Sequence, residues 1–98
     1  GDWRYPGSHP SYSPDGKLFT TDVMVGYEPF NDKQGWWGVV VGNAETGESV
    51  MVHKFDHSKG AKSWRISHPH PSFSPDGKRV YFNVSDGDWT RLHVAEVA

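Results

Sequence analysis

His9-Pro10-Ser11-Tyr12-Ser13-Pro14-Asp15-Gly16-Lys17 returns, at an offset of 61, as His70-Pro71-Ser72-Phe73-Ser74-Pro75-Asp76-Gly77-Lys78, with eight of nine positions identical. A repeat of this fidelity in 98 residues marks a duplicated structural unit. Its centre, Ser-Pro-Asp-Gly, is turn chemistry. Proline presets φ, the aspartate side chain bonds its own backbone, and glycine accepts positive φ. Each copy therefore predicts a hairpin, in which a short Ser-Tyr-Ser or Ser-Phe-Ser strand reverses into the strand after the lysine.

Residues 18–25 and 79–84 are the strands that follow the two turns, both apolar enough to be central. In the first copy residues 36–41 give a third strand, 43–48 a turn and 49–55 a fourth strand; in the second, 85–88 turn into a third strand over 89–97. The facing of that last strand stays open, because Leu92, Val94 and Glu96 alternate imperfectly with His93, Ala95 and Val97. Four antiparallel strands followed by three is the order of β-propeller blades. The expected fold is all-β: two antiparallel propeller-type blades of about seven strands, an incomplete propeller or a part of one.

As one unit over 1–98, the chain divides into a first blade at 8–55 with an inserted loop at 26–35, a linking loop at 56–67, and a partial second blade at 68–98. The offset of 61 exceeds the usual blade period of about 40–50 residues. Two polar segments, 26–35 and 56–63, account for the excess, and such loops are either functional or plain surface. Closing a propeller takes about four blades. The chain is therefore expected to belong to a longer propeller or to self-associate, with a small two-sheet sandwich as the alternative.

Composition agrees. Eleven Gly, 7 Pro, 5 Trp, 4 Tyr and 5 Phe favour short strands and tight turns, and 35% hydrophobic content limits the core. Ten Lys+Arg against 12 Asp+Glu leave a net charge of -2, without the basic field of a nucleic-acid binder. No apolar run approaches the roughly 20 residues of a membrane helix, so neither nucleic acid nor membrane is an expected partner and the chain is expected to be soluble. The absence of cysteine excludes disulfide and thiolate chemistry.

Six histidines are present, and three sit at related places in the repeat: His9 and His70 open the two copies, and His68 precedes His70 by two. In an extended segment i and i+2 share a face, and the prolines of His68-Pro69-His70-Pro71 favour extension. Equivalent positions in adjacent blades point toward one channel mouth, so His9, His68 and His70 are expected to converge as a three-histidine site for Mn, Fe or Zn. The structural alternative is that His-Pro-Ser is how each copy enters its hairpin. His53, His57 and His93 are expected on the surface or on strand faces. Trp64 and Arg65 suit a sugar acid, with an indole face for the ring and a guanidinium fork for the carboxylate. Trp36 and Trp37 read as one core residue and one blade–blade contact, Asp15 and Asp76 as turn residues, and Asp22 and Asn83, at one repeat position, as structural polar contacts.

The Ser8–Lys17 stretch with Thr21-Asp22, and the stretch His68-Pro69-His70-Pro71-Ser72-Phe73-Ser74-Pro75-Asp76-Gly77-Lys78, resemble the last blades of the oligogalacturonate lyase family. Ser-Pro-Asp-Gly itself is common to WD40-like propeller repeats, including those of periplasmic Tol-system proteins; His-Pro-His-Pro-Ser-Phe is more specific. The resemblance implies a bacterial seven-bladed propeller, cytoplasmic or periplasmic, that cleaves pectin-derived galacturonides by β-elimination with bound manganese. It implies metal-ligand roles for His9, His68 and His70. The family's glutamine ligand falls at Arg65, which cannot serve as a neutral oxygen ligand, and the family's base lies in earlier blades. The expected function is thus a C-terminal part of such a lyase, contributing the metal half of the site to an oligogalacturonide or other uronic-acid oligosaccharide. A non-catalytic WD40-like module for protein or glycan is the alternative.

Overall fold

The computed structural model describes residues 9–26, 34–56, 68–87 and 89–97. Strands β1 (Ser11–Tyr12), β2 (Leu18–Met24), β3 (Trp36–Asn43) and β4 (Ser49–Asp56) form one antiparallel sheet in chain order. A second comprises β5 (Ser72–Phe73), β6 (Arg79–Val84) and β7 (Arg91–Glu96), also in chain order. No helix occurs among the described residues. Strand bounds differ from expectation at several ends. β2 stops at Met24, while β3 runs through Gly42 to Asn43 because Asn43 still pairs with Leu18. β4 extends to Asp56, and β7 is shorter than 89–97. Residues 27–33 and 57–67, which carry most of the expected insertions, lie outside the described residues.

The two Ser-Pro-Asp-Gly turns are built alike. Asp15 accepts hydrogen bonds from the Ser13 hydroxyl (2.7 Å) and the Lys17 N–H (2.9 Å); Asp76 accepts from the Ser74 hydroxyl (2.6 Å) and the Lys78 N–H (3.0 Å). These bonds hold both carboxyls below their ordinary range, led by the Lys17 N–H for Asp15 and by the Ser74 hydroxyl for Asp76. Gly16 and Gly77 sit at φ 74° and 73°, which a side chain would strain. Both aspartates are turn residues, as expected.

Strand alternation then decides what faces what. On β3, Trp37, Val39 and Val41 point one way, and together with Phe55 they pack against Val80, Phe82 and Val84 of β6. Trp36 and Val40 point the other way and join Phe19, Val23, Val25 and Met51. Being apolar on both faces, β3 is central to its sheet. Ala95 of β7 and Val97 just beyond it pack on the shared core, while Leu92 and Val94 face outward.

A bulge in β4 places Val39 opposite His53 and Val40 opposite Met51, so Val52 is the extra residue. His53 thereby faces the second sheet. Its ring centroid lies 5.4 Å from that of His93 and 5.5 Å from that of Phe82. His53 and His93 thus lie on strand faces, as expected, at the joint between the sheets; His57 lies outside the described residues. Burial and the facing His93 hold His53 below the ordinary imidazole range, against an opposite pull from Asp86. A base with a depressed folded value binds fewer protons folded than unfolded. Its stabilisation is full above the unfolded value of about 6.5 and is lost as pH falls through it. The thermal midpoint should therefore drop between about pH 7.5 and about pH 5.5, and His53→Gln should drop less. Superimposable pH profiles for the two proteins would remove His53 from this account.

Candidate metal centre

The even-numbered residues of β2 face the second sheet, and Asp22, opposite Val39, is fully buried there with 0% exposure. A buried carboxylate is costly unless its oxygens are satisfied. Asp22 accepts hydrogen bonds from the His9 N–H at Oδ1 (3.0 Å), from His9 Nδ1 at Oδ2 (2.7 Å), and from the His70 N–H at Oδ2 (3.1 Å). One carboxylate thus ties together the entrances of both repeat copies. An ionised carboxylate only accepts, so His9 donates from Nδ1 to Oδ2.

Around this anchor the rings of the three histidines lie close together. The His9 ring stacks on that of His70 with centroids 4.1 Å apart and planes at 22°, and lies 5.6 Å from that of His68. Trp37 stacks on His68 with centroids 4.6 Å apart, so this indole belongs both to the joint core and to the site. The route to convergence differs from expectation. At His70 the backbone does not stay extended but turns left-handed, φ 47°, a conformation uncommon outside glycine that costs about 1–3 kcal/mol. Asp22 pins the His70 N–H, and Asn83 pins the segment before it, with its N–H on the Pro69 carbonyl (2.8 Å) and Nδ2 on that of His68 (3.4 Å). The paired prolines suggested a straight segment; tertiary hydrogen bonds bend it.

Three imidazoles, one oriented by a buried carboxylate, are the donor chemistry of a divalent transition ion. At an imidazole–metal reach of about 2.0–2.1 Å, rings sharing an ion have centroids roughly 5 Å apart, near the spacings found. The side chains are gathered without being arranged as a coordination sphere: no group of three or more His, Cys, Asp or Glu among the described residues could hold an ion as it stands. Stacking turns the faces of His9 and His70, and not their ring nitrogens, toward each other. Trp64 and Arg65 lie outside the described residues. Asp22, expected only as a structural contact, is the residue that sequence reasoning undervalued. Its signal was its place thirteen residues after His9, matched in the second copy by Asn83 after His70.

No protein-family model and no curated protein matches the chain. Among solved structures it is similar to an oligogalacturonate lyase from Vibrio parahaemolyticus, at 26% identity and a TM-score of 0.68, over 95% of this chain and 24% of that one. It is also similar to TolB from Acinetobacter baumannii, at 22% identity and a TM-score of 0.64, over 98% of this chain and 20% of that one. The chain spans a quarter or less of the length of either. Both neighbours are β-propellers, and each likeness runs across both sheets. The two sheets are neighbouring propeller-type blades, and the alternative of a small sandwich falls away.

Proposed function

We propose that this chain forms part of a propeller enzyme of the oligogalacturonate lyase type, with His9, His68 and His70 holding a divalent transition ion, manganese by the family resemblance, where the two blades meet. The observation that carries this reading is the convergence of three repeat-related imidazoles over one buried carboxylate. Each histidine has a distinct support: Asp22 sets the tautomer of His9, Trp37 limits the ring of His68, and the left-handed turn aims His70. When bound, such an ion stabilises the negative charge that develops beside a uronate carboxylate as the adjacent proton leaves. Arg65 would fork that carboxylate or a neighbouring one, and Trp64 would cover the sugar face. With Arg65 at the family's glutamine position, water or substrate would complete the ligand shell. The base comes from another part of the propeller.

The substrate on this reading is an oligogalacturonide or another uronic-acid oligosaccharide. The partner is a further blade, or a second copy. Leu92 and Val94 hold the repeat positions of Val39 and Val41, yet are 70% and 54% exposed against 0% and 8%. A face that buries its apolar residues in the first blade and exposes them in the second is suited to receiving another sheet.

Titration with Mn²⁺, followed by electron paramagnetic resonance, should show one ion per chain. His68→Ala should weaken it by more than the roughly 10–100-fold that a lost second-shell partner costs. With digalacturonate, the assembled propeller should build up the absorbance of an unsaturated uronide. Absence of ion binding by the wild-type chain would reject the metal site and favour the non-catalytic module.

A further inference from the structure

We infer that Asp22 is the positioning residue of this site: it fixes His9 as the Nδ1–H tautomer and locks His9 to His70 across the blade junction, so that the histidine cluster exists only when the two blades are docked. The inference rests on the metal reading for its purpose, while its geometry stands apart from it. Asp22 accepts two hydrogen bonds from His9 in its own copy and one from His70 in the next. Oδ2 serves both copies at once, receiving His9 Nδ1 and the His70 N–H. The carboxylate is fully buried on the face that the second sheet covers, so water cannot substitute for either partner.

The repeat supplies the control. Asn83 occupies the same position in the second copy, and there the amide donates, through Nδ2, to the His68 carbonyl. An asparagine at position 22 would bring one acceptor oxygen and one NH₂ to three nitrogen donors. With its oxygen near Oδ1, its NH₂ would confront His9 Nδ1 and the His70 N–H; His9 could answer only by accepting at Nδ1 and moving its proton to Nε2. That tautomer turns the outward nitrogen from a lone-pair donor into an N–H and removes it as a ligand. With the oxygen near Oδ2 instead, the NH₂ would face the His9 N–H, and the entrance of the first copy would be released. Either way the His9–His70 pair loses one anchor.

Asp22→Asn is the test, read by two-bond ¹H–¹⁵N correlation of the histidine rings at about pH 8, above the ordinary imidazole range. In the wild-type chain His9 should show the Nδ1–H tautomer without any metal present. In Asp22→Asn it should shift toward Nε2–H if the amide oxygen lies near Oδ1, or keep Nδ1–H with the His9 backbone N–H released if it lies near Oδ2, and in both cases Mn²⁺ affinity should fall about 10–100-fold. If the variant does not fold, the wild-type spectrum still decides: an Nε2–H tautomer at His9 overturns the assignment. Mn²⁺ binding that is equally tight in the variant overturns the positioning role while leaving the metal site in place. The Nδ1–H tautomer in a wild-type chain that binds no Mn²⁺ supports the assignment of Asp22 and rejects the metal reading.

Discussion

Phe82→Ala should lower the free energy of unfolding by about 3–5 kcal/mol, the range for removing a buried aromatic ring. Phe82 is 3% exposed at the middle of β6, and its neighbours in the joint core come from both blades: Val39, Val41 and Phe55 from the first, Val80 and Val84 from the second. The ring also completes a triangle with His53 and His93, at 5.5 and 5.9 Å. Its removal leaves a cavity between two sheets that are each held by their own ladders, so neither can collapse to fill it. Against a total of about 5–15 kcal/mol for a domain, such a loss would leave the blade pair marginal or open. Urea unfolding of wild type and variant measures it as a shift of midpoint. A loss below about 1 kcal/mol would mean that the two sheets do not share the core described.

How much of this was legible beforehand depended on whether the information was local. The turns were, because Ser-Pro-Asp-Gly specifies its own hydrogen bonds within five residues, and the structure has the same set at Asp15 and Asp76. Strand order followed from the repeat. The facing of β7 was not legible: Leu92 and Val94 are as apolar as a core pair, and only the position of the first blade shows that they lie on the uncovered side. Similarly, the bulge at Val52 that turns His53 toward His93 leaves no mark in a run of valines, methionine and histidine.

The candidate site divides in the same way. Repeat-related placement was enough to gather His9, His68 and His70, because equivalent positions on neighbouring blades approach one another. The depth of Asp22 was not, since an aspartate in a Thr-Thr-Asp-Val strand is buried only if another sheet covers that face. Nor was the left-handed turn at His70, which the following proline disfavours on local grounds and which Asp22 and Asn83 impose from a distance. Long-range hydrogen bonds overrode the local preference of His-Pro-His-Pro.

Gly42→Ala should cost about 3 kcal/mol, toward the upper end for overpacking, whereas Gly38→Ala should cost about 1 kcal/mol or less. Both glycines lie on the β3 face that carries Trp36 and Val40, and both lack room for a methyl group, but their neighbours differ in what can give. At Gly42 a Cβ would overlap the Phe19 ring and stand 2.7 Å from the Glu48 carbonyl oxygen. Phe19 is locked in a core with Val23, Val25 and Val40, and that carbonyl accepts the Asn43 N–H at 2.8 Å in closing the β3–β4 hairpin. At Gly38 the nearest atom is the Met51 sulfur at 2.6 Å, on a flexible side chain that can swing aside, while Val25 Cγ1 at 3.1 Å and the His53 carbonyl oxygen at 3.2 Å need give by only a few tenths of an ångström. The strand preference of alanine over glycine, worth roughly 0.5–1 kcal/mol, acts equally at both sites and cancels in the comparison. Paired urea titrations would show the difference, and equal losses would remove the argument from neighbour rigidity. If the difference holds, Trp36-Gly38-Val40-Gly42 is a large–small alternation matched to Phe19 and Met51 of the flanking strands. The apolar β3 run then specifies which strands lie beside it, as well as a strand of its own.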